Sequence, residues 1–131
     1  MTIVIGYVNT PAGHAALDSG IDQAKKDSHD LVVVNASRSA SRSDSYRLGE
    51  GELKSVKDYL GRSGVEYRVL TPGSEYDPAE QLLDAAAEVG AELIVLGTRK
   101  RTPVGKFLLG STIQRVILDA ECPVLCVKAK H

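Results

Sequence analysis

Five short apolar runs divide the chain: TIVIGYV (2–8), DLVVVNA (30–36), EYRVL (66–70), ELIVLGT (92–98) and PVLCVKA (123–129). The first, second, fourth and fifth are dense in Val, Ile and Leu with little alternation. Runs of that kind suit strands covered on both faces. The third alternates, with Tyr67 and Val69 on one side and Glu66, Arg68 and Leu70 on the other. That pattern suits an edge strand.

Between the runs the apolar spacing changes to that of helices. Leu17, Gly20, Ile21 and Ala24 share one helical face after Thr10-Pro11, with Pro in the first turn. Leu53, Val56 and Leu60 mark a second stripe, which Gly61 and Gly64 should end. The third stripe is Leu82, Leu83, Ala86 and Val89. Asp77 is its expected N-cap, Glu80 completes a capping box, and Gly90 is its stop. A fourth helix should follow Gly110, with Ile113, Val116, Ile117 and Ala120 inward, and stop before Pro123.

The elements therefore alternate strand, helix, strand from end to end. Short parallel strands joined by crossover helices make an α/β fold, a doubly wound parallel sheet with helices on both faces. The 131 residues suit a single domain, 1–131. One polar stretch, SRSASRSDSYR (37–47), links the second strand to the second helix and reads as a solvated loop.

Composition excludes more than it selects. Sixteen basic residues face seventeen acidic ones, so bulk charge offers no attraction to nucleic acid. Trp is absent and aromatics make up 5%, too few for base-stacking platforms. No apolar run is long enough to cross a membrane, and MTIVIGYV lacks the basic start of a secretory signal. The expected compartment is the cytoplasm. Cys122 and Cys126, placed four apart in one strand, would sit about 13 Å from each other, too far for a disulfide. His14, His29 and His131 are scattered, and no metal-ligand spacing is present.

Open α/β sheets bind ligands beyond the carboxyl ends of their strands, where the strand order reverses. The first and fourth strands are the natural central pair. Their ends are Tyr7-Val8-Asn9 and Leu96-Gly97-Thr98. The loop after the fourth strand carries Arg99, Lys100, Arg101 and Lys106 and no acid up to Gly110. Gly97 should let the chain turn. Gly110, Ser111 and Thr112 open the fourth helix, where unpaired N–H groups and the helix dipole favour an anion. Neither a P-loop nor a G-x-G-x-x-G follows the first strand, and no G-x-S-x-G elbow occurs. No catalytic residue is assigned.

The blocks IVIGY, TPAGHAAL, AELIVLGTR, LLGSTIQRVI and CPVLCVK together resemble the universal stress protein family over nearly the whole chain. The resemblance implies a five-stranded Rossmann-like sheet of order 3-2-1-4-5 and a homodimer, often paired through the last strands, here residues 123–129. One branch of the family binds ATP and carries G-x2-G-x9-G-S/T. In this chain the positions are Gly97, Lys100, Gly110 and Ser111, so the spacing is kept and a lysine replaces the second glycine. That branch also ends its first strand with a nucleoside-binding Asp; Val8 stands there, with Asn9 as the nearest polar substitute. Ala36 should flank the base. The implied function is a stress-response sensing or binding module with a cleft for ATP or a related phosphate-bearing nucleotide, and Mg²⁺ only as its companion. The alternatives are a dimeric stress protein without nucleotide that acts through protein interactions and, behind it, a slow ATPase.

Overall fold

The computed structural model describes residues 1–36, 47–72, 77–98 and 110–129. Nine elements follow one another: β1 (Thr2–Gly6), α1 (Pro11–Asp27), β2 (Asp30–Val34), α2 (Glu50–Ser63), β3 (Tyr67–Leu70), α3 (Pro78–Val89), β4 (Leu93–Thr98), α4 (Ser111–Asp119) and β5 (Val124–Lys128). The strands form one sheet in the order β3-β2-β1-β4-β5, and every pairing is parallel. Each strand is shorter than the apolar run that announced it. Tyr7, Val8, Asn35 and Ala36 lie beyond the strand ends, at the mouth of the sheet.

Side-chain alternation along the strands builds two cores. Ile3, Ile5, Leu31, Val33 and Val95 face α1 and α2, where they meet Leu17, Ile21, Val56 and Leu60. Val4, Val32, Val34, Ile94 and Leu96 face α3 and α4, where they meet Ala79, Leu82, Ala86 and Val116. Because the inner strands bury both faces, their sequences show no alternation. β3 is an edge strand, and its alternation survives: Arg68 and Leu70 are exposed while Tyr67 and Val69 are half-buried.

The helix ends explain themselves locally. Thr10 caps α1 by accepting a hydrogen bond from Gly13 N–H at 3.1 Å, with Pro11 at the first helical position. α2 runs through Gly61 and ends only at Gly64, whose φ of 79° allows the left-handed cap. Gly61 is thus an interior residue, contrary to expectation. Gly90, with φ 62°, stops α3 as expected.

Three further expectations change. Asp77 occupies the N-cap of α3 but makes no side-chain cap bond. Its carboxylate, like that of Glu80, is drawn instead to Arg115 on α4, at 3.1 and 2.8 Å. An ionised guanidinium is a stronger partner than a backbone N–H. Ile117 is 43% exposed rather than inward. Val116 is the fully buried residue of α4, worth about 1.5–3 kcal/mol, and Ile113 and Ala120 pack half-buried against the same core as expected. Cys122 precedes β5 rather than sitting in it, and both cysteines are free, half-buried thiols.

Candidate functional site at the strand ends

Register brings the predicted strand ends together. Ile5 pairs with Val95 and Gly6 with Val34, so Val8 after β1, Ala36 after β2 and Gly97 in the last residues of β4 come to one end of the sheet. Tyr7 N–H still donates to Val34 O at 2.9 Å, which carries the alignment past the end of β1. Val8 and Ala36 are half-buried there.

The first turn of α1 lies on this end with its backbone. Thr10 N–H donates to Val8 O at 2.8 Å. A Cβ on Gly13 would stand 1.8 Å from Val8 O, and one on Gly97 would stand 1.9 Å from Ala12 O. Neither helix nor strand leaves room for a methyl group. This corrects the reading of Gly97: it is an extended residue inside β4, without positive φ, and does not turn the chain. Its missing side chain admits helix α1.

Gly110 is different. It is the N-cap of α4, extended at φ −65° and ψ 155°, and a Cβ there would meet no described residue within 4 Å. Among the described residues no side chain caps the helix. The first intrahelical bond runs from Gln114 N–H to Gly110 O at 3.1 Å. The N–H groups of Ser111, Thr112 and Ile113 therefore have no acceptor in their own helix, and the dipole adds about half a positive charge. Ser111 is exposed and Thr112 half-buried, so both hydroxyls stand at this positive end. Arg99 and Lys100 lie outside the described residues.

Two predicted contacts are placed elsewhere. The Tyr7 side chain, 2% exposed, belongs to the core under α1 and α2, on the opposite face from α4. The reason is alternation: Tyr7 follows Ile3 and Ile5. Its carbonyl accepts from Asn35 Nδ2 at 2.9 Å. Tyr7 can therefore shape the site only by holding Val8. Leu96 is core, 4% exposed beneath α3 and α4. Asn9 is also committed: its amide donates to Glu52 Oε2 at 2.6 Å, and its oxygen accepts from His14 Nε2 at 3.0 Å. The Tyr7 hydroxyl lies 3.5 Å from the same His14 nitrogen, with the rings edge to face. Burial, and then the Glu52 charge, push the Tyr7 phenol above its ordinary pKa.

A sequence profile described as "Universal stress protein family" matches residues 1–128. The chain belongs to the universal stress protein family. A universal stress protein of Mycolicibacterium smegmatis is 42% identical over 126 residues, 96% of each chain. Among solved structures, a universal stress protein from Archaeoglobus fulgidus superposes with a TM-score of 0.81 at 26% identity, over 97% of both chains. Another from that organism, solved in complex with dAMP, gives 0.74 at 21% identity, over 97% of this chain and 96% of that one.

Within this universal stress protein fold, two residues missed by sequence reasoning hold the site. Asn35, 1% exposed, donates to Tyr7 O and accepts from Leu48 N–H at 3.0 Å, which ties β1 to the approach of α2. An amide directly after four apolar strand residues was the available signal. Arg115 grips Asp77 and Glu80 of α3 and Asp119 of its own helix at 3.1, 2.8 and 3.5 Å. It fixes α4, and hence the Gly110 end, against α3. Only the Arg115–Asp119 spacing was visible in the sequence. Among the described residues no helix is long and apolar enough to cross a membrane, and no group of three or more ligating side chains could hold a metal.

Proposed function

We propose that the chain is a stress-response binding module that takes a phosphate-bearing adenine nucleotide at the mouth of the sheet. One observation carries this: among the described residues, the N-terminus of α4 begins at a glycine with open space over its Cα and no capping side chain. A helix start left bare in that way suits an anion. In this reading Gly110, Ser111 and Thr112 donate to phosphate oxygens. Arg99 and Lys100 add charge, Val8 and Ala36 flank the base, and the backbone of Gly97 forms the floor. The dAMP complex of the structural relative supports the ligand class.

ATP is the natural probe, with Mg²⁺ bound through its phosphates. Titration calorimetry with ATP, AMP and inorganic phosphate, with and without Mg²⁺, should show binding in the micromolar to millimolar range. Ser111→Ala and Gly110→Val should weaken it. Absence of heat and of a thermal shift with millimolar ATP would refute the proposal. The module binds without turnover, since the proposed contacts include no carboxylate or imidazole to serve as general base. β5 ends the sheet opposite β3, and we assign its open edge to a homodimer. Ile94 N–H donates to Pro123 O and Ala129 N–H to Thr98 O, so by alternation Cys126 turns its N–H to that edge. Light scattering on the wild type and on a Cys126→Pro variant tests this.

A second reading has its own observation. Val8 is apolar where an Asp would meet a nucleoside, and the Asn9 amide is held by Glu52 and His14. Nucleoside recognition is then weak and phosphate dominates. It predicts that pyrophosphate competes with ATP at similar concentration.

A further inference from the structure

The β3 side of the sheet has no part in that site. Among the described residues β3 pairs with β2 alone. Leu31 N–H donates to Glu66 O and Asn35 N–H to Leu70 O, each at 2.9 or 2.8 Å. Alternate residues of a strand turn their backbone groups to the same neighbour, so Tyr67 and Val69 turn theirs outward. These are the groups a further strand would bond.

Side chains divide the other way. Tyr67 and Val69 pack on the α1/α2 core, which leaves Arg68 and Leu70 on the α3 face. There α3 stands off from the edge and leaves a groove of about 390 Å³. Val34, Leu70, Pro72 and Ala85 give it an apolar floor, and Asp84 and Glu88 lie on its α3 side. The two carboxylates are one helical turn apart and exposed. Among the described residues no basic side chain lines the groove.

We propose that this edge and groove form a docking site for an extended segment of a partner protein in which lysine or arginine alternates with apolar residues. The segment adds a strand to β3 through the outward N–H and C=O groups of Tyr67 and Val69. Its alternate side chains then fall on the α3 face. A basic side chain lays its aliphatic stem on Leu70 and Ala85 and sets its charge between Asp84 and Glu88. Charge complementarity decides the occupant: along the described lining an acidic strand would meet two carboxylates and no cation.

The probe is the hexapeptide acetyl-Lys-Val-Lys-Val-Lys-Val-amide, titrated at low salt into the full chain labelled with ¹⁵N. Amide shifts should cluster at Tyr67, Val69 and Thr71 and at Asp84 and Glu88. The double variant Asp84→Asn/Glu88→Gln, both surface changes, should bind about three- to tenfold more weakly. N-methylation of alternate peptide nitrogens should abolish binding, and the Glu-for-Lys peptide should bind far less. Shifts confined to β5 or α4, equal binding of the Glu peptide, or an unchanged double variant would each overturn the proposal. Nucleotide titrations read a separate set of amides, so the two readings fail independently.

Discussion

The two glycines that frame the loop after β4 should respond to alanine in opposite ways. In Gly97→Ala the new Cβ would lie 1.9 Å from Ala12 O and 2.4 Å from its carbonyl carbon. Both are backbone atoms, so no rotamer change relieves the clash. The start of α1 must retreat by about 1.5 Å to restore ordinary contact. That movement disturbs Thr10 and Gly13, whose caps and contacts hold the helix on β1. Overpacking of this kind costs about 3 kcal/mol. For a chain of this size each kcal/mol lowers Tm by about 3–5 °C, so the fall should be about 10 °C. In Gly110→Ala the Cβ meets nothing and φ is negative. Loss of the better N-cap and reduced freedom of the unfolded chain nearly cancel, leaving a change within about 1 kcal/mol. Urea and thermal denaturation of both variants check this, and ligand titration of Gly110→Ala then reports the site alone. A Gly97→Ala protein as stable as the wild type would refute the assignment of Gly97 to helix packing.

Other outcomes follow from the same contacts. Asn35→Ala strands the buried Leu48 N–H and Tyr7 carbonyl and should cost about 2–3 kcal/mol in urea denaturation, while exposed Ser55→Ala should cost little. Burial holds the Tyr7 phenol and the Cys122 and Cys126 thiols above their ordinary pKa values. The folded state therefore keeps these protons better than the unfolded one. Stability is full below the ordinary values and falls as pH rises past about 8.5 for the thiols and about 10 for the phenol. Tm measured from pH 7 to 11 should show this decline, and Tyr7→Phe should flatten its upper part. Arg115→Met removes the tie between α3 and α4. Hydrogen exchange of α4 amides should quicken while those of β1 stay protected.

The sequence by itself determined the order of elements, the parallel sheet and its edge. Apolar periodicity records burial directly: β1, β2 and β4 are buried on both faces and β3 on one, whereas β5, which has the same dense apolar run, is an edge strand that is only half-buried. The start of α1 and the stop of α3 were equally legible, because Thr10-Pro11 and Gly90 act within a turn. Family resemblance rested on blocks spread along the whole chain, which a sequence displays in full. The loop glycines show the limit. Both were legible as glycines, yet only the packing of α1 across β4 shows that Gly97 is required by a neighbouring backbone and Gly110 by none. Tertiary structure also decided which face Tyr7 takes, since one residue of strand length reverses every side chain beyond it. It turned Asp77 from a cap into a partner of Arg115, and it enlisted Asn9 and Asn35 to hold α1 and α2 at the mouth. Such bonds join residues that are remote along the chain, and no local pattern encodes a distance that only folding creates.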